Sequence, residues 1–283
     1  MNINLLTELE AQSLNALIDN AENIVIFSHR SPDGDAIGSS LGMAAYLKQK
    51  GKKNVAVVVP DMFPNFLQWM PGADFILRYD KKKEEVEKTV SKADLMFCLD
   101  FNDASRTAEI EPFITESKAK KVLIEHHLDP NIDVEIKVSH PEACSTCELV
   151  FRIIWQLGGF DSMDKDVAVP IYCGMMTDTG GFTYNSNRPE IFFIISQLLT
   201  KGINKDKIYR NVFNNYSVWR LRLMGFVMYT KLNVFNEYHS SYFTLTRQDL
   251  KHFHFIKGDA EGLVNMPLQI KGMKLSISLR EDT

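Results

Sequence analysis

"NIVIFSHRSPDGDAIGSSLG", residues 23–42, passes from an apolar segment through a turn into a helix-like segment. Residues 23–28 are short, apolar and rich in β-formers, the pattern of a buried strand. Pro32 and the Asp33-Gly34-Asp35 triplet then favour a turn followed by a helix N-cap. The same pattern recurs downstream. "NVAVVV" (54–59), "ADLMFCL" (93–99) and "KVLI" (121–124) read as strands. "DAIGSSLGMAAYLKQKG", "KKKEEVEKTVSK" and "TAEIEPFITESKAK" read as helices or helix-rich crossovers between them. Such alternation predicts an α/β fold with a parallel sheet and helices on its faces. Ligands of these folds sit beyond the carboxyl ends of the strands.

From residue 145 the text turns helical. "STCELVFRIIWQLGG" opens on hydroxyl residues and a glutamate suited to capping, and closes on Gly158 and Gly159. "DKDVAVPIYCGMMTDTGGF" is a second apolar helix, broken near Gly180 and Gly181. "RPEIFFIISQLLTKG" and "SVWRLRLMGFVMYTKLNVF" follow as further helices, and "SSYFTLT" and "MKLSISL" bring back strands. The expected organisation is a catalytic parallel-sheet domain over 1–203 and a helical linker over 204–239. The start of a second α/β domain then occupies 240–283.

Composition narrows the function. The chain has 283 residues, 45% of them hydrophobic, and a formal charge of −4, which disfavours an electrostatic grip on long duplex nucleic acid. Short nucleotides need only a local cluster of cations or metal ions. No apolar run approaches the roughly 18 residues of a membrane span, and the acidic, amphipathic N-terminus is unlike a secretory signal. Cys98 and Cys173 lie in apolar runs, and Cys144 and Cys147 form a CxxC pair without a second pair to complete a zinc site. Reduced thiols and a cytoplasmic location are expected.

Chemistry gathers where the strands stop. His29, Asp33 and Asp35 follow the first strand, Asp100 follows "LMFCL", and Glu125, His126 and His127 follow "KVLI". Asp178 ends an apolar helix just before the glycine pair. Each has a plainer alternative: Asp33 and Asp35 as turn and cap, Asp100 as the cap of a following helix, Asp178 as a solvated helix end. The histidine pair can be one packed and one exposed residue. A calcium loop is excluded because Ala44 stands where its bidentate glutamate belongs. Four carboxylates in one cleft would repel each other and raise each other's pKa values unless cations neutralised them. Two divalent ions balance that charge, and oxygen with imidazole donors suits manganese, leaving magnesium or iron open.

As an ordered set these residues resemble the DHH phosphoesterase superfamily, with "HRSPDGDAIGSSLG", "CLDFNDASRT", "EHHLDP", "STCELV" and "MMTDTGGFTY" all similar to its motifs. The nanoRNase and oligoribonuclease branch, which also removes the 3′-phosphate of 3′-phosphoadenosine 5′-phosphate, is the nearest in wording. The resemblance implies one metal on His29, Asp33 and Asp100, and a second on Asp35, Asp100, His126 and Asp178, with Asp100 bridging. It implies that His127 faces the scissile phosphate, that Arg106 holds substrate phosphate, and that short oligonucleotides or nucleotides are the substrates; a homodimer stays open. Gly38 and Gly42 are expected to let their helix approach the sheet.

Two departures stand out. The family has aspartate where this chain has Glu125, which is expected to orient a ligand rather than bind metal. "GDAEGLVNMPLQIKGMKLSISLRED" resembles the opening of the DHH-associated domain, whose glycine-rich "GGGH" end is not reached before Thr283. A truncated longer chain is the expectation. Two rival readings remain at this stage: a pyrophosphate or polyphosphate hydrolase on the same centre, and a nucleotide sensor without turnover.

Overall fold

The computed structural model describes residues 3–281, so the last residue of the sequence, Thr283, lies outside the described residues. The chain forms two compact units, Met1–Val212 and Phe213–Thr283. In chain order, unit 1 carries α1 (Glu8–Asn20), β1 (Asn23–Phe27), α2 (Gly34–Gln49), β2 (Asn54–Val59), β3 (Leu77–Arg78) and α3 (Lys83–Val90). It continues with β4 (Leu95–Leu99), α4 (Glu111–Thr115), β5 (Lys120–Glu125), β6 (Ile136–Ser139), α5 (Thr146–Gln156), α6 (Lys165–Asp178) and α7 (Pro189–Thr200). Helix α8 (Lys205–Phe213) closes it.

The six strands form one parallel sheet in the order β3-β2-β1-β4-β5-β6. The α/β reading therefore holds, and this is the order of a doubly wound sheet. Chain direction switches between β1 and β4, where crossovers leave to opposite sides and open a crevice at the carboxyl ends. Strand residues alternate between faces. Val25, Phe27, Met96, Cys98 and Leu123 pack with Val86 and Val90 of α3 and Ile114 of α4 on one side. Helices α2 and α5 pack on the other, with α6 laid against both.

Two of the six strands differ from the sequence reading. β6 is short and alternates buried with exposed residues, and β3 has only two residues, so neither presents an apolar run. Sheet pairing, not local propensity, makes them strands.

The glycines of α2 serve a different contact from the expected one. A Cβ on Gly38 would stand 2.5 Å from the Pro170 carbonyl oxygen, and one on Gly42 would stand 2.6 Å from Ile171 Cγ1. Both neighbours belong to α6, so the close approach is helix to helix rather than helix to sheet. Gly34 lies equally close to Thr177, whose Oγ1 an added Cβ would overlap. The start of α2 and the end of α6 are thereby held together, with Asp35 on one and Asp178 on the other. Gly38→Ala is expected to lose about 1–3 kcal/mol by overpacking, outweighing alanine's better helix propensity. Gly225, with no atom within 4 Å of the added Cβ, should instead gain up to about 1 kcal/mol as alanine. Urea unfolding of the two variants checks both signs.

Unit 2 holds α9 (Val218–Phe226), β7 (Asn233–Phe235), β8 (Ser240–Leu245), α10 (Arg247–His252) and β9 (Leu275–Arg280). β8 pairs antiparallel with β7 and parallel with β9. Phe243 and Leu245 of β8 meet Leu223, Val227, Leu250 and Leu263 in a small core. The helix expected over "SVWRLRLMGFVMYTKLNVF" stops early: α9 ends at Phe226, a π-helical turn spans Val227–Lys231, and Asn233–Phe235 is strand. Pairing with β8 captures these last residues. No helix among the described residues is long and apolar enough to cross a membrane.

Candidate metal centre

The carboxyl ends of β1, β4 and β5 deliver the polar residues that the sequence placed there. His29 lies just past β1, Asp100 just past β4, and His126 and His127 just past β5. Asp33 caps α2, its carboxylate accepting from the Asp35 and Ala36 amides at 3.0 Å each. It is both helix cap and member of the cluster, so the two readings of this residue are compatible. Asp178 is the last residue of α6.

Asp100 has φ +67°, a left-handed conformation unusual for a residue with a side chain. Its amide donates to the Ile124 carbonyl at 3.1 Å, so β5 holds the backbone in that conformation. The strain turns the carboxylate across the strand ends, where both its oxygens are used. His29 Nε2 lies 3.5 Å from Oδ2, while His126 Nε2 lies 3.6 Å from Oδ1. His126 Nε2 is also 3.8 Å from Asp35 Oδ2 and 3.6 Å from Asp178 Oδ2. Donor atoms within 4.8 Å of one another form three groups: His29 with Asp33 and Asp100, Asp35 with His126 and Asp178, and Asp100 with His126 and His127.

Neighbouring carbonyls set the imidazoles. His29 Nδ1 meets the Arg30 carbonyl oxygen at 2.8 Å, and His126 Nδ1 meets that of Ala143 at 3.3 Å. A carbonyl only accepts, so each Nδ1 carries a proton and each Nε2 faces the cluster, where a cation would displace any proton it holds. Metal-binding histidines are oriented in this way. His127 stands edge-on to His126, with ring centroids 4.8 Å apart. Its Nδ1 is buried and has no hydrogen-bond partner among the described residues.

Asp35 and Asp100 are gripped by the start of α5. The Thr146 and Cys147 amides donate to the two Asp35 oxygens at 2.6 and 2.9 Å, and Thr146 Oγ1 donates to Asp100 Oδ1 at 2.9 Å. The free N–H groups and the positive end of a helix dipole suit a buried carboxylate. Sequence reading marked "STCELV" as a helix start but missed this grip, which reaches back 46 residues to Asp100 and more than a hundred to Asp35.

Without cations the carboxylates are under strain. Burial, then the charges of Asp100 and Asp33, push the Asp178 carboxyl up to about 8. Burial and Asp100 raise Asp33, and burial with Asp100, Asp178 and Asp33 raises Asp35 well above the carboxylate range. Burial opposes charge on His29, but hydrogen bonding to Asp100 and the charges of Asp100 and Asp33 carry it to about 8. Asp100 alone goes down: burial raises it, and the three histidines outweigh burial. The donor set, oxygen with imidazole and no thiolate, fits hard to borderline divalent cations. Cys147 lies beside Asp35 but stays a neutral thiol, pushed well above its ordinary range by burial and the Asp35 charge.

Glu125 stands outside the three groups. Fully buried, it accepts from the His127 amide and from Ser139 Oγ, and so fastens the turn that presents His127. Glu125→Ala would take the acceptor from two half-buried donors, a loss of about 1–3 kcal/mol that denaturant unfolding would register. Arg106 is half-buried, and its carbonyl accepts from the Arg30 amide at 2.7 Å, placing its backbone beside the His29 loop.

The DHH family, N-terminal domain, matches residues 23–175. The chain is 29% identical over 262 residues to the bifunctional oligoribonuclease and PAP phosphatase NrnA of Thermus thermophilus, covering 91% of this chain and 72% of that protein. It is 24% identical over 180 residues to the cyclic-di-AMP phosphodiesterase PdeA of Listeria monocytogenes, covering 61% of this chain and 27% of that protein. The crystal structure of an exopolyphosphatase-related protein from Bacteroides fragilis matches with a TM-score of 0.93 and 49% identity, over 98% of this chain and 82% of that one.

Proposed function

The chain belongs to the DHH family, and from that premise we propose that it is a two-metal phosphoesterase. Its substrates would be short oligonucleotides or linear dinucleotides, hydrolysed to mononucleotides, and the 3′-phosphate of 3′-phosphoadenosine 5′-phosphate. The observation that carries the reading is the sharing of Asp100 between two groups of donors, one with His29 and Asp33 and one with His126 and His127, His126 in turn joining Asp35 and Asp178. His29, Asp33 and Asp100 would hold one divalent cation, and Asp35, Asp100, His126 and Asp178 a second, manganese being the best match to the donors. Bound there, such a pair supplies positive charge for a phosphoryl group and lowers the pKa of water.

The protein's own groups do the rest. The Arg30 and Ala143 carbonyls keep the proton of each ligand imidazole on Nδ1. The α5 amides hold the Asp35 carboxylate aimed inward. His127, edge-on to His126 and with Nδ1 4.0 Å from Asp100 Oδ1, is assigned to phosphate as a donor of a hydrogen bond or a proton. Arg106 is assigned to substrate phosphate as a weaker member of the set.

The phosphoanhydride reading keeps one observation in its favour, the exopolyphosphatase-related description of the Bacteroides fragilis protein. A substrate panel separates the readings. The full chain is incubated with Mn2+ and 5′-phosphorylated RNA dimers to pentamers, 3′-phosphoadenosine 5′-phosphate, pyrophosphate and polyphosphate. Mononucleotides from the RNA, or phosphate from the nucleotide, are the expected products. Phosphate from the anhydrides alone would favour the second reading, and binding without any product would favour a sensor.

A further inference from the structure

The candidate second group, Asp35 with His126 and Asp178, is held from one place, the first turn of α5 and the residues just before it. Asp35 takes the Thr146 and Cys147 amides. His126 is fixed through the Ala143 carbonyl. Asp178 has no such bond among the described residues; it opens a segment that returns to the same turn ten residues later at Arg188. That segment bends sharply, with positive φ at Gly180, Gly181, Phe182 and Asn185. Arg188 ends it by pairing with Glu148 at 2.5 Å.

Glu148 is a fully buried carboxylate on the first turn of α5. Its Oε2 accepts from the Cys144 amide at 2.8 Å as well as from Arg188, and its Oε1 faces Arg152 at 3.2 Å. Its own amide donates to Ser145 Oγ, the cap of the helix, at 3.1 Å. Arg152 is tied elsewhere too, its Nε donating to the Ile3 carbonyl at 2.9 Å. Arg188 is thus the link from the Asp178 segment to the turn that carries the supports of Asp35 and His126.

We propose that Arg188 is a positioning residue for the second group, acting through Glu148. It registers the Asp178 segment against the α5 turn, its ion pair going to Glu148 and not to a donor of the cluster. His29 and Asp33 have their own supports, the Arg30 carbonyl and the α2 amides, and only Asp100 of the first group leans on the α5 turn, through Thr146 Oγ1, so the first group is expected to weaken much less. The inference rests on the two-metal reading above.

The test is Mn2+ titration of the full chain by calorimetry, with Asp178→Asn marking which binding event belongs to the second group. Arg188→Met should weaken that event about 10–100-fold, the range seen when an outer partner of a metal ligand is removed. The other event should stay within about threefold, and Arg188→Lys should recover part of the loss. Removing Arg188 alone leaves a buried carboxylate short of a partner. The Arg188→Met/Glu148→Gln pair cuts the same link without that charge and should show the same selective loss. Equal weakening of both events, or none in a folded variant, would overturn the inference. A wild type that binds no Mn2+ would remove the two-metal reading itself, an outcome distinct from unchanged binding in the variants.

Discussion

Asp100→Ala is expected to reduce Mn2+-dependent hydrolysis of a short RNA by about 1000-fold or more in kcat/KM. The size follows from what the residue shares. Its two oxygens face opposite ways, one to His29 and one to His126, so its loss opens both candidate sites at once. A metal pair contributes several kcal/mol of charge stabilisation to a phosphoryl transition state, and about 4 kcal/mol corresponds to a factor near 1000. Asp100→Asn separates charge from shape. It keeps the volume and an acceptor for Thr146 Oγ1, yet should fall nearly as far, because a neutral amide cannot balance two cations. Near-wild-type turnover in either variant would leave the bridging role without support.

The second large effect is a stability that depends on pH in opposite ways with and without metal. In the metal-free protein Asp178 and His29 are each carried to about 8, and Asp33 and Asp35 are raised. The unfolded chain has ordinary values near 3.8 for aspartate and 6.5 for histidine. Between about pH 4 and pH 8 the folded state therefore holds more protons than the unfolded one, and stability must fall as pH rises. Asp100, shifted down, already has its full contribution above about pH 3.8 and so leaves that trend intact. Each retained proton costs about 1.4 kcal/mol per pH unit. For one such proton, pH 5 to pH 7 corresponds to a loss of roughly 6–12 °C in Tm. Mn2+ should reverse the trend. Metal competes with protons for the same donors, so its affinity grows with pH, and saturation at 100-fold above Kd adds about 2.7 kcal/mol per site. Melting curves at pH 5, 6, 7 and 8, with chelator and with Mn2+, should cross. Parallel curves would mean that the carboxylates and the metal are not linked.

What could be read without coordinates was the position of the chemistry. Apolar β-forming runs that stop abruptly at histidine or aspartate mark strand ends, and a parallel sheet brings such ends to one edge whatever the intervening loops do. His29, Asp100 and the 126–127 pair needed only that rule. Asp178 was legible from an apolar helix ending on a carboxylate before two glycines. The supports were not legible, because they are contacts between distant segments. Nothing local says that the Thr146 and Cys147 amides close on Asp35, or that Arg188 reaches Glu148. The helix glycines illustrate the same limit: their small size was plain, but the surface they approach turned out to be α6. β3, β6 and β7 were missed because they are strands by pairing and carry no apolar run of their own. Glu125 was expected to orient a ligand, and its buried carboxylate is fastened to the His127 amide and Ser139.

The most direct measurement is the number of Mn2+ ions that unit 1's carboxylate–histidine cluster takes up at neutral pH, read by calorimetry on the full chain beside its Asp100→Asn variant. Two ions per chain in the wild type, with neither bound tightly once Asp100 is neutral, is the predicted result. A single ion, or binding that survives in Asp100→Asn unchanged, would contradict a shared two-metal centre.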